Sequence, residues 1–268
     1  MCGSGPHERD ENGKIDFEKE TRTGTVEVLD LLDPNFKKVI HTNFPLRNDC
    51  FGGILNNTPF FGGGEGGDKD VFVLDKSKTK MKLKEARYGA ACAKMKDDVY
   101  WIFGGINEEG NSLNSTEVVV YESSDNSWSV HESATLDRDS NHCDMDFQIY
   151  GHCVVNFDDQ HMFLIGGVTG GNYDPDLDEE DQEEAKVQRS TWFIDMEDVF
   201  FEVKPFRIMS KKRKYCQAAV MCSRGRRVIV VAGGHSDRET LDSVDIIDPW
   251  NQGPEGQGWT PGKEVNLM

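Results

Sequence analysis

The amino-acid sequence predicts an all-β fold assembled from repeated four-stranded antiparallel units. Three observations support this prediction. The stretch 87–130 divides into four short runs, at residues 88–94, 99–103, 116–121 and 127–130. These runs are rich in small, β-branched or aromatic residues, and clusters of Asp, Asn, Gly and Ser separate them, which is typical of strands joined by turns. The same pattern recurs along the chain, and no window of this stretch has a helical period.

Gly-Gly pairs mark the recurrence, because each pair closes an apolar run. The pairs are Gly62-Gly63, Gly104-Gly105, Gly166-Gly167 and Gly233-Gly234. Each is followed by a run that ends in an acid, and the acids are Asp75, Glu122, Asp195 and Asp248, with an isolated earlier copy that ends at Asp30. The acid-to-acid steps are 45, 47, 73 and 53 residues. Two steps are near a regular period and two contain insertions.

One large apolar residue stands on the last strand of each copy. These residues are Phe36, Met81, Trp128, Phe201 and Trp259. We interpret them as core between neighbouring sheets, because one such side chain per unit is what packing alone requires.

The ordered recurrence resembles the kelch repeat, whose period is about 50 residues. The shared features are a small-residue strand opened by a Tyr-Gly-type pair, a buried strand that ends in Gly-Gly, and a spaced aromatic residue on the last strand. The resemblance covers residues 25–262 and implies a β-propeller, in which four-stranded blades surround a central channel. In this alignment Cys216 stands where the other copies have Gly89 and Gly151, and Met81 stands where an aromatic residue is expected.

The resemblance divides the chain into a flexible polar leader at 1–24, a kelch-type propeller at 25–262 and a tail at 263–268. The propeller segment supplies about four and a half blades. The half blade is at 25–40, and the complete copies are at about 46–83, 87–130, 149–203 and 214–260. An unpaired sheet edge is an aggregation hazard. Three explanations stay open: a truncated member, an incomplete gene model, or self-association in which a second copy covers the open edge.

Bulk properties limit the partners that the sequence predicts. The formal charge of −18 argues against a nucleic-acid or anionic membrane surface, and favours neutral or basic protein partners. No apolar stretch approaches the 18–20 residues of a spanning helix. Seven cysteines without a CxxC pair favour reduced thiols in a cytosolic or nuclear protein. The sequon at Asn114 keeps a secreted protein open as an alternative.

The long insertions are predicted to share one face. In a four-stranded unit A-B-C-D, the B–C loop and the connection from strand D to the next strand A lie at the same end of the sheet. The segment 131–148 is a D–A connection, 169–189 is a B–C loop, and 204–214 is the next D–A connection. Because recognition residues tend to sit on loops held by a rigid scaffold, we predict that a protein partner binds this face.

The candidate partner-binding residues come from these insertions and from the B–C loop of the last copy. They are His142, Asp174, Asp176, Asp178, Glu179, Glu180, Asp181, Lys211, Lys212, Arg213 and His235. The acidic run also fits a solvated loop. A calcium loop would need Gly at Glu179 and a bidentate acid at Ala185. The basic run fits a nuclear-import signal, or an edge that partly neutralises the acidic loop.

The sequence predicts no catalytic residue, no cofactor and no metal site. His142-Cys143, His152-Cys153 and His235 are the metal-ligating candidates, but their spacing fixes no ligand set. Kelch-like propellers include copper-dependent oxidases and sugar isomerases, so the resemblance leaves an alternative open: an extracellular, metal-dependent propeller enzyme that is galactose-oxidase-like or sugar-modifying. The favoured function is a protein–protein interaction module, with the partner bound through the long B–C and D–A loops of one face.

Overall fold

The structure is a computed structural model that describes ten segments of the chain. They are residues 23–29, 38–45, 48–64, 69–75, 79–132, 147–170, 184–197, 203–223, 225–250 and 259–261. Every regular element within these segments is a β-strand, which confirms the all-β prediction. Within the same segments no helix is long and apolar enough to cross a membrane. The predicted leader and tail fall almost entirely outside them.

The strands form four four-stranded antiparallel sheets and two hairpins. The first hairpin pairs β1 (Thr23–Leu29) with β2 (Lys38–Pro45). Sheet I contains β3 (Phe51–Leu55), β4 (Thr58–Gly62), β5 (Asp70–Val73) and β6 (Lys80–Lys82). Sheet II contains β7 (Ala91–Lys96), β8 (Val99–Phe103), β9 (Thr116–Glu122) and β10 (Ser127–Glu132).

Sheet III contains β11 (Cys153–Asn156), β12 (His161–Ile165), β15 (Thr191–Asp195) and β16 (Val203–Pro205), with the hairpin of β13 (Val168–Thr169) and β14 (Lys186–Val187) inside its B–C loop. Sheet IV contains β17 (Gln217–Ser223), β18 (Arg226–Ala232), β19 (Val244–Ile247) and β20 (Thr260–Pro261). In all four sheets the strands pair in the order in which they occur along the chain, with hairpin β13–β14 inserted between the second and third strands of sheet III, so the predicted A-B-C-D order is confirmed.

Three apolar cores lie between consecutive sheets. Strand β8 shows why the sequence builds them, because successive side chains point to opposite faces of a strand. Trp101 and Phe103 belong to the core shared with sheet III, whereas Ile102 belongs to the core shared with sheet I. A strand buried on both faces therefore reads as a continuous apolar run. The third core joins sheets III and IV around Phe163, Ile165 and other buried side chains.

The large apolar residues of the last strands occupy these cores as predicted. Met81 is buried between sheets I and II, and Trp128 packs against the same core. Trp259 is buried between sheets III and IV. Phe36 and Phe201 lie outside the described residues.

The first strands of the sheets lie beside one another in chain order, with β3 next to β7, β7 next to β11, and β11 next to β17. Small residues permit this approach, since Ala91 and Ala93 stand on β7. The sheets are therefore arranged face to face around their first strands, as in a propeller-like fold.

The Gly-Gly pairs make close backbone contacts between consecutive sheets. In three copies the first glycine of the contact, which is Gly63, Gly104 or Gly166, has a positive φ, and a Cβ there would lie 2.2–2.4 Å from a carbonyl oxygen of the next sheet's entry segment. In the first copy the contact is therefore made by Gly63-Gly64 and not by Gly62-Gly63. The second glycine donates its N–H to that same carbonyl, as Gly105 does to Ile149 (2.8 Å) and Gly167 to Arg213 (2.7 Å). The repeated Gly-Gly signature is therefore a requirement of inter-sheet contact.

We expect Gly166→Ala to destabilise the protein much more than Gly233→Ala. Both glycines have a φ near +65°, so both variants place alanine in the left-handed region. A Cβ at Gly166 would lie 2.4 Å from the Arg213 carbonyl oxygen, whereas at Gly233 the nearest atom is 3.7 Å away. The excess cost at Gly166 should be about 2 kcal/mol, which urea unfolding of the two variants would measure. Equal costs would contradict the steric explanation.

Candidate functional site

The sheet register places the described ends of the long insertions at one end of the sheets, which we call the loop face. In sheet III, Cys153 pairs with Ile165 and Ile165 with Thr191, so the start of strand A and the B–C loop lie together. The pairing of Trp192 with Pro205 brings the following D–A connection to the same end. The A–B and C–D turns lie at the opposite end, which we call the turn face.

A chain of backbone hydrogen bonds links the four sheets at the loop face. Gly89 donates its N–H to the carbonyl of Asp49 (3.0 Å), Gly151 donates to Gly89 (2.7 Å), and Tyr215 donates to Gly151 (2.6 Å). The four residues all have a left-handed φ, between 53° and 64°. They are therefore equivalent positions, one at the entrance to each sheet.

This equivalence corrects the sequence alignment of the fourth copy. Tyr215, and not Cys216, stands where the other copies have Gly89 and Gly151. The sequence alignment was wrong by one residue because it matched Cys216 to the glycines as a small residue, whereas backbone conformation decides the register.

Tyr215 is the strained member of the set. Glycine adopts a left-handed φ without cost and Asp tolerates it, but a bulky aromatic residue is a true outlier there. Its ring covers Gly151, where a Cβ would lie 3.2–3.4 Å from three ring atoms. The side chain is nevertheless 37% exposed. Such strain persists only where the surrounding structure imposes it, and it occurs preferentially at functional sites.

Sheets II and IV each contain a buried hydrogen-bond network centred on an arginine, close to the loop face. In sheet IV, Arg213 donates to the carbonyls of Gly233 (2.8 Å) and Ser243 (2.9 Å), and its Nη2 lies 3.2 Å from the carboxylate of Asp245. The Arg213 and Asp245 side chains are both fully buried. A buried pair of this kind is satisfied by hydrogen bonds and ties the entry segment to the B–C loop.

The sheet II network has the same geometry. Arg87 donates to the carbonyls of Gly104 (2.7 Å) and Ser115 (3.0 Å) and to Glu117 Oε1 (2.8 Å). Arg87 and Glu117 are both buried. The recurrence shows that the arginine is part of the fold in these two sheets.

Sheet III replaces this network with aromatic side chains. Ile149 occupies the arginine position, because Gly105 donates to its carbonyl as Gly167 does to that of Arg213. In sheets II and IV the carboxylate stands two residues after a serine whose carbonyl accepts a hydrogen bond from the Gly-Gly pair. In sheet III this serine is Ser190, which accepts from Gly166, so Trp192 occupies the carboxylate position. Phe147 stacks on Trp192 with ring centroids 4.6 Å apart.

The aromatic pair opens onto a cleft of about 500 Å³ in the loop face. The other lining residues are Asn114, Gln148, Thr169, Gly170 and Gln188. Phe147 and Trp192 are half-buried, so both rings reach the cleft. Hairpin β13–β14 shapes one wall, where Gln188 Nε2 donates to Thr169 Oγ1 (2.5 Å). Neutral amides around aromatic faces can bind a partner by stacking and by hydrogen bonds without any charge.

The D–A connection at 204–214, which contains the basic run KKRK, has exposed and buried basic side chains. Lys212 pairs with Asp237 (2.9 Å) and Lys211 lies 3.8 Å from Glu239, and all four side chains are largely exposed. The prediction that Arg213 belongs to an accessible partner surface is wrong, because Arg213 is buried and its charge is neutralised by Asp245. The sequence reasoning missed the acidic partners Asp237 and Glu239, which lie in the next B–C loop.

The remaining candidates are partly outside the described residues. His235 is exposed at the loop face, and its Nδ1 lies 3.1 Å from Thr240 Oγ1. His142 and the acidic run of Asp174, Asp176, Asp178, Glu179, Glu180 and Asp181 lie outside the described residues. Phe147, Trp192 and Tyr215 were not predicted as site residues. The available signal was that Ile149 and Trp192 stand at repeat positions where other copies have an Arg and an acid.

His152 is buried directly before the first strand of sheet III. The described part of the chain gives neither of its ring nitrogens a hydrogen-bond partner. Burial lowers the pKa of His152 to about 3, so the imidazole is neutral at physiological pH. Within the described segments no group of three or more His, Cys, Asp or Glu side chains is placed to hold a metal ion. His142 and Cys143 lie outside those segments.

Comparison with solved structures supports the fold. The structure of YjhT, a protein with a β-propeller-type fold, aligns with a TM-score of 0.52 over 83% of this chain and 67% of the YjhT chain, at 17% sequence identity. It is one of 159 matching chains of solved structures. No family model and no curated protein sequence matches the chain. At this identity the likeness establishes a propeller-like fold and carries no information about activity.

Proposed function

We propose that this chain is a kelch-type propeller that serves as a protein-interaction module and binds its partner on the loop face. In this proposal the four sheets are consecutive blades and hairpin β1–β2 is the outer half of another, about four and a half blades in all. The observation that supports it best is the aromatic pair of sheet III. Phe147 and Trp192 are half-exposed beside a cleft, and Trp192 stands at the position where sheets II and IV place the carboxylate of a buried ion pair.

Tyr215 supports the same face. A tyrosine in a left-handed conformation has a backbone cost that glycine avoids, and Gly89 and Gly151 stand at the equivalent positions. Tyr and Trp are enriched among the residues that dominate the binding energy of interfaces. Tyr215 and Trp192 are therefore proposed as the anchors of the partner.

The charges of the loop face suggest the partner's character. Lys211 and Lys212 already have acidic neighbours, and the chain as a whole has a formal charge of −18. A strongly acidic partner would be repelled at long range. A neutral or basic protein surface with an apolar projection for the cleft is the proposed partner.

Variants of the two anchors would test the proposal. Tyr215→Gly and Trp192→Ala remove loop-face rings, and Trp250→Ala removes a 47% exposed ring at the turn face as a matched control. Proteins captured from cell extract by the wild-type chain are identified by quantitative mass spectrometry, and the main one is purified. We expect each anchor variant to weaken its binding by about 30-fold or more, and the control to leave it unchanged. Undiminished binding by both anchor variants, or equal loss in the control, would refute the proposal.

The stability of Tyr215→Gly separates binding from folding. Relief of the left-handed strain offsets the entropic cost of glycine and the lost ring contact, so the free energy of unfolding should stay within about 1 kcal/mol of wild type. Urea unfolding measures this value. A loss of several kcal/mol would mean that the Tyr215 ring is a structural element.

A further inference from the structure

We propose that Cys153 and Cys216 form a disulfide that bridges sheets III and IV when the protein meets a peroxide. The two thiols belong to the core between these sheets, and their Sγ atoms are 3.6 Å apart. Cys153 begins β11, and Cys216 directly precedes β17, which lies beside β11. The residues are 63 positions apart in the chain, so only the packing of two repeats brings them together.

The geometry requires only a small displacement. A disulfide has an S–S distance of about 2.05 Å, so each sulfur would move by less than about 1 Å. The side-chain torsions of two neighbouring cysteines can supply such a movement while the strands keep their positions. The thiols of Cys50 and Cys92 donate instead to the carbonyls of Gly63 (3.8 Å) and Gly52 (3.1 Å).

Cys216 is the nucleophile of the pair. The hydrogen bond from the Cys153 thiol lowers the pKa of Cys216, and the positive charge of Arg213 lowers it further. The thiolate is the reactive form of cysteine. Arg213 therefore has two effects: it pairs with Asp245, and it stabilises the negative charge of the Cys216 thiolate.

The reaction balances with one peroxide per disulfide. The Cys216 thiolate attacks one oxygen of hydrogen peroxide, the O–O bond breaks, and the released hydroxide takes a proton to become water, which leaves a sulfenic acid on Cys216. The Cys153 sulfur then attacks the Cys216 sulfur and loses its proton, and a second water molecule departs. The two thiols are oxidised by two electrons in all, and the peroxide is reduced to two waters. Cys153 is 7% and Cys216 1% exposed, so the peroxide must reach the thiols through local opening of the core.

The test uses the full chain, first reduced and then treated with hydrogen peroxide. Free thiols are alkylated in denaturant, and peptides are mapped without reduction. We expect a cross-linked peptide that joins Cys153 to Cys216. The melting temperature of the oxidised protein should rise by about 5–10 °C, because the link closes a long loop of the unfolded chain, and dithiothreitol should reverse the rise.

Single variants assign the bond. Cys153→Ala and Cys216→Ala should each abolish the cross-link and the temperature shift, whereas Cys222→Ala, which removes an exposed thiol, should retain both. Wild-type mapping gives the answer even if a core variant fails to fold. Two freely alkylated thiols at Cys153 and Cys216 after peroxide treatment, or a cross-link of either to a different cysteine, would overturn the proposal.

Discussion

Replacing Arg213 with alanine is expected to lower the free energy of unfolding by about 3–5 kcal/mol. The guanidinium is fully buried and serves two carbonyls, the Ser243 hydroxyl and the Asp245 carboxylate. Its removal leaves the Asp245 charge in the core, where Ser210 Oγ, at 2.5 Å, is the one other side-chain donor among the described residues. A buried charge without its counter-ion is among the most costly defects of a folded protein. Urea unfolding followed by tryptophan fluorescence would measure the loss.

Lys212→Ala is the matched control for this prediction. The two residues are adjacent in sequence and both pair with an aspartate, but Lys212 and Asp237 are about half exposed. The control should cost no more than about 1 kcal/mol. The double variant Arg213→Met with Asp245→Leu removes both charges and should be more stable than Arg213→Ala alone. Equal losses in the arginine and lysine variants would show that Arg213 is not the buried element described above.

Lowering the pH from 7.5 to 4.5 should cost the protein about 3 kcal/mol of unfolding free energy through His152 alone. The unfolded chain binds a proton at this residue near pH 6.5, whereas burial lowers the pKa in the folded protein to about 3. Above pH 6.5 the imidazole is neutral in both the folded and the unfolded chain, so its low pKa in the folded protein costs no stability there. Below that pH, stability is lost by about 1.4 kcal/mol per pH unit until the folded pKa is reached.

His152→Ala isolates this contribution from that of the acidic groups. Alanine is the residue at the equivalent position of sheet II, since a Cβ at Gly105 would meet Ala90 as one at Gly167 would meet His152. Unfolding free energies at pH 7.5 and 4.5 give a pH-dependent loss for each protein, and the loss should be about 3 kcal/mol smaller in the variant. Val154→Ala, two residues further along the chain and without a titrating group, should keep the wild-type loss. An identical loss in His152→Ala would contradict the assigned burial.

Local chemistry made much of the fold predictable. The run 99–103 became strand β8 without any change of bounds, because alternation, β-branched and aromatic content and the closing Gly-Gly are all properties of neighbouring residues. The four complete copies correspond to the four sheets for the same reason. Strand counting was sufficient to place the loops on one face, since an antiparallel meander reverses direction at every turn.

The candidate site was less predictable because its properties depend on neighbouring sheets. Arg213 reads as the third residue of the basic run KKRK, and its burial follows from Asp245, which is 32 positions away in the next loop. Trp192 reads as an ordinary strand aromatic in TWFID. Its exposure depends on Phe147 and on the loops that border the cleft.

The sequence by itself determined the all-β class, the repeat, the strand order and the face that bears the long loops, because each of these follows from periodicity and turn residues within about 50 positions. Only the tertiary structure decided which side chains of that face are buried, strained or in contact. It placed Tyr215 in the glycine position, enclosed Arg213 and set Cys153 beside Cys216. These outcomes depend on the packing of one repeat against the next, and the distances between sheets are not encoded in the pattern of any single repeat.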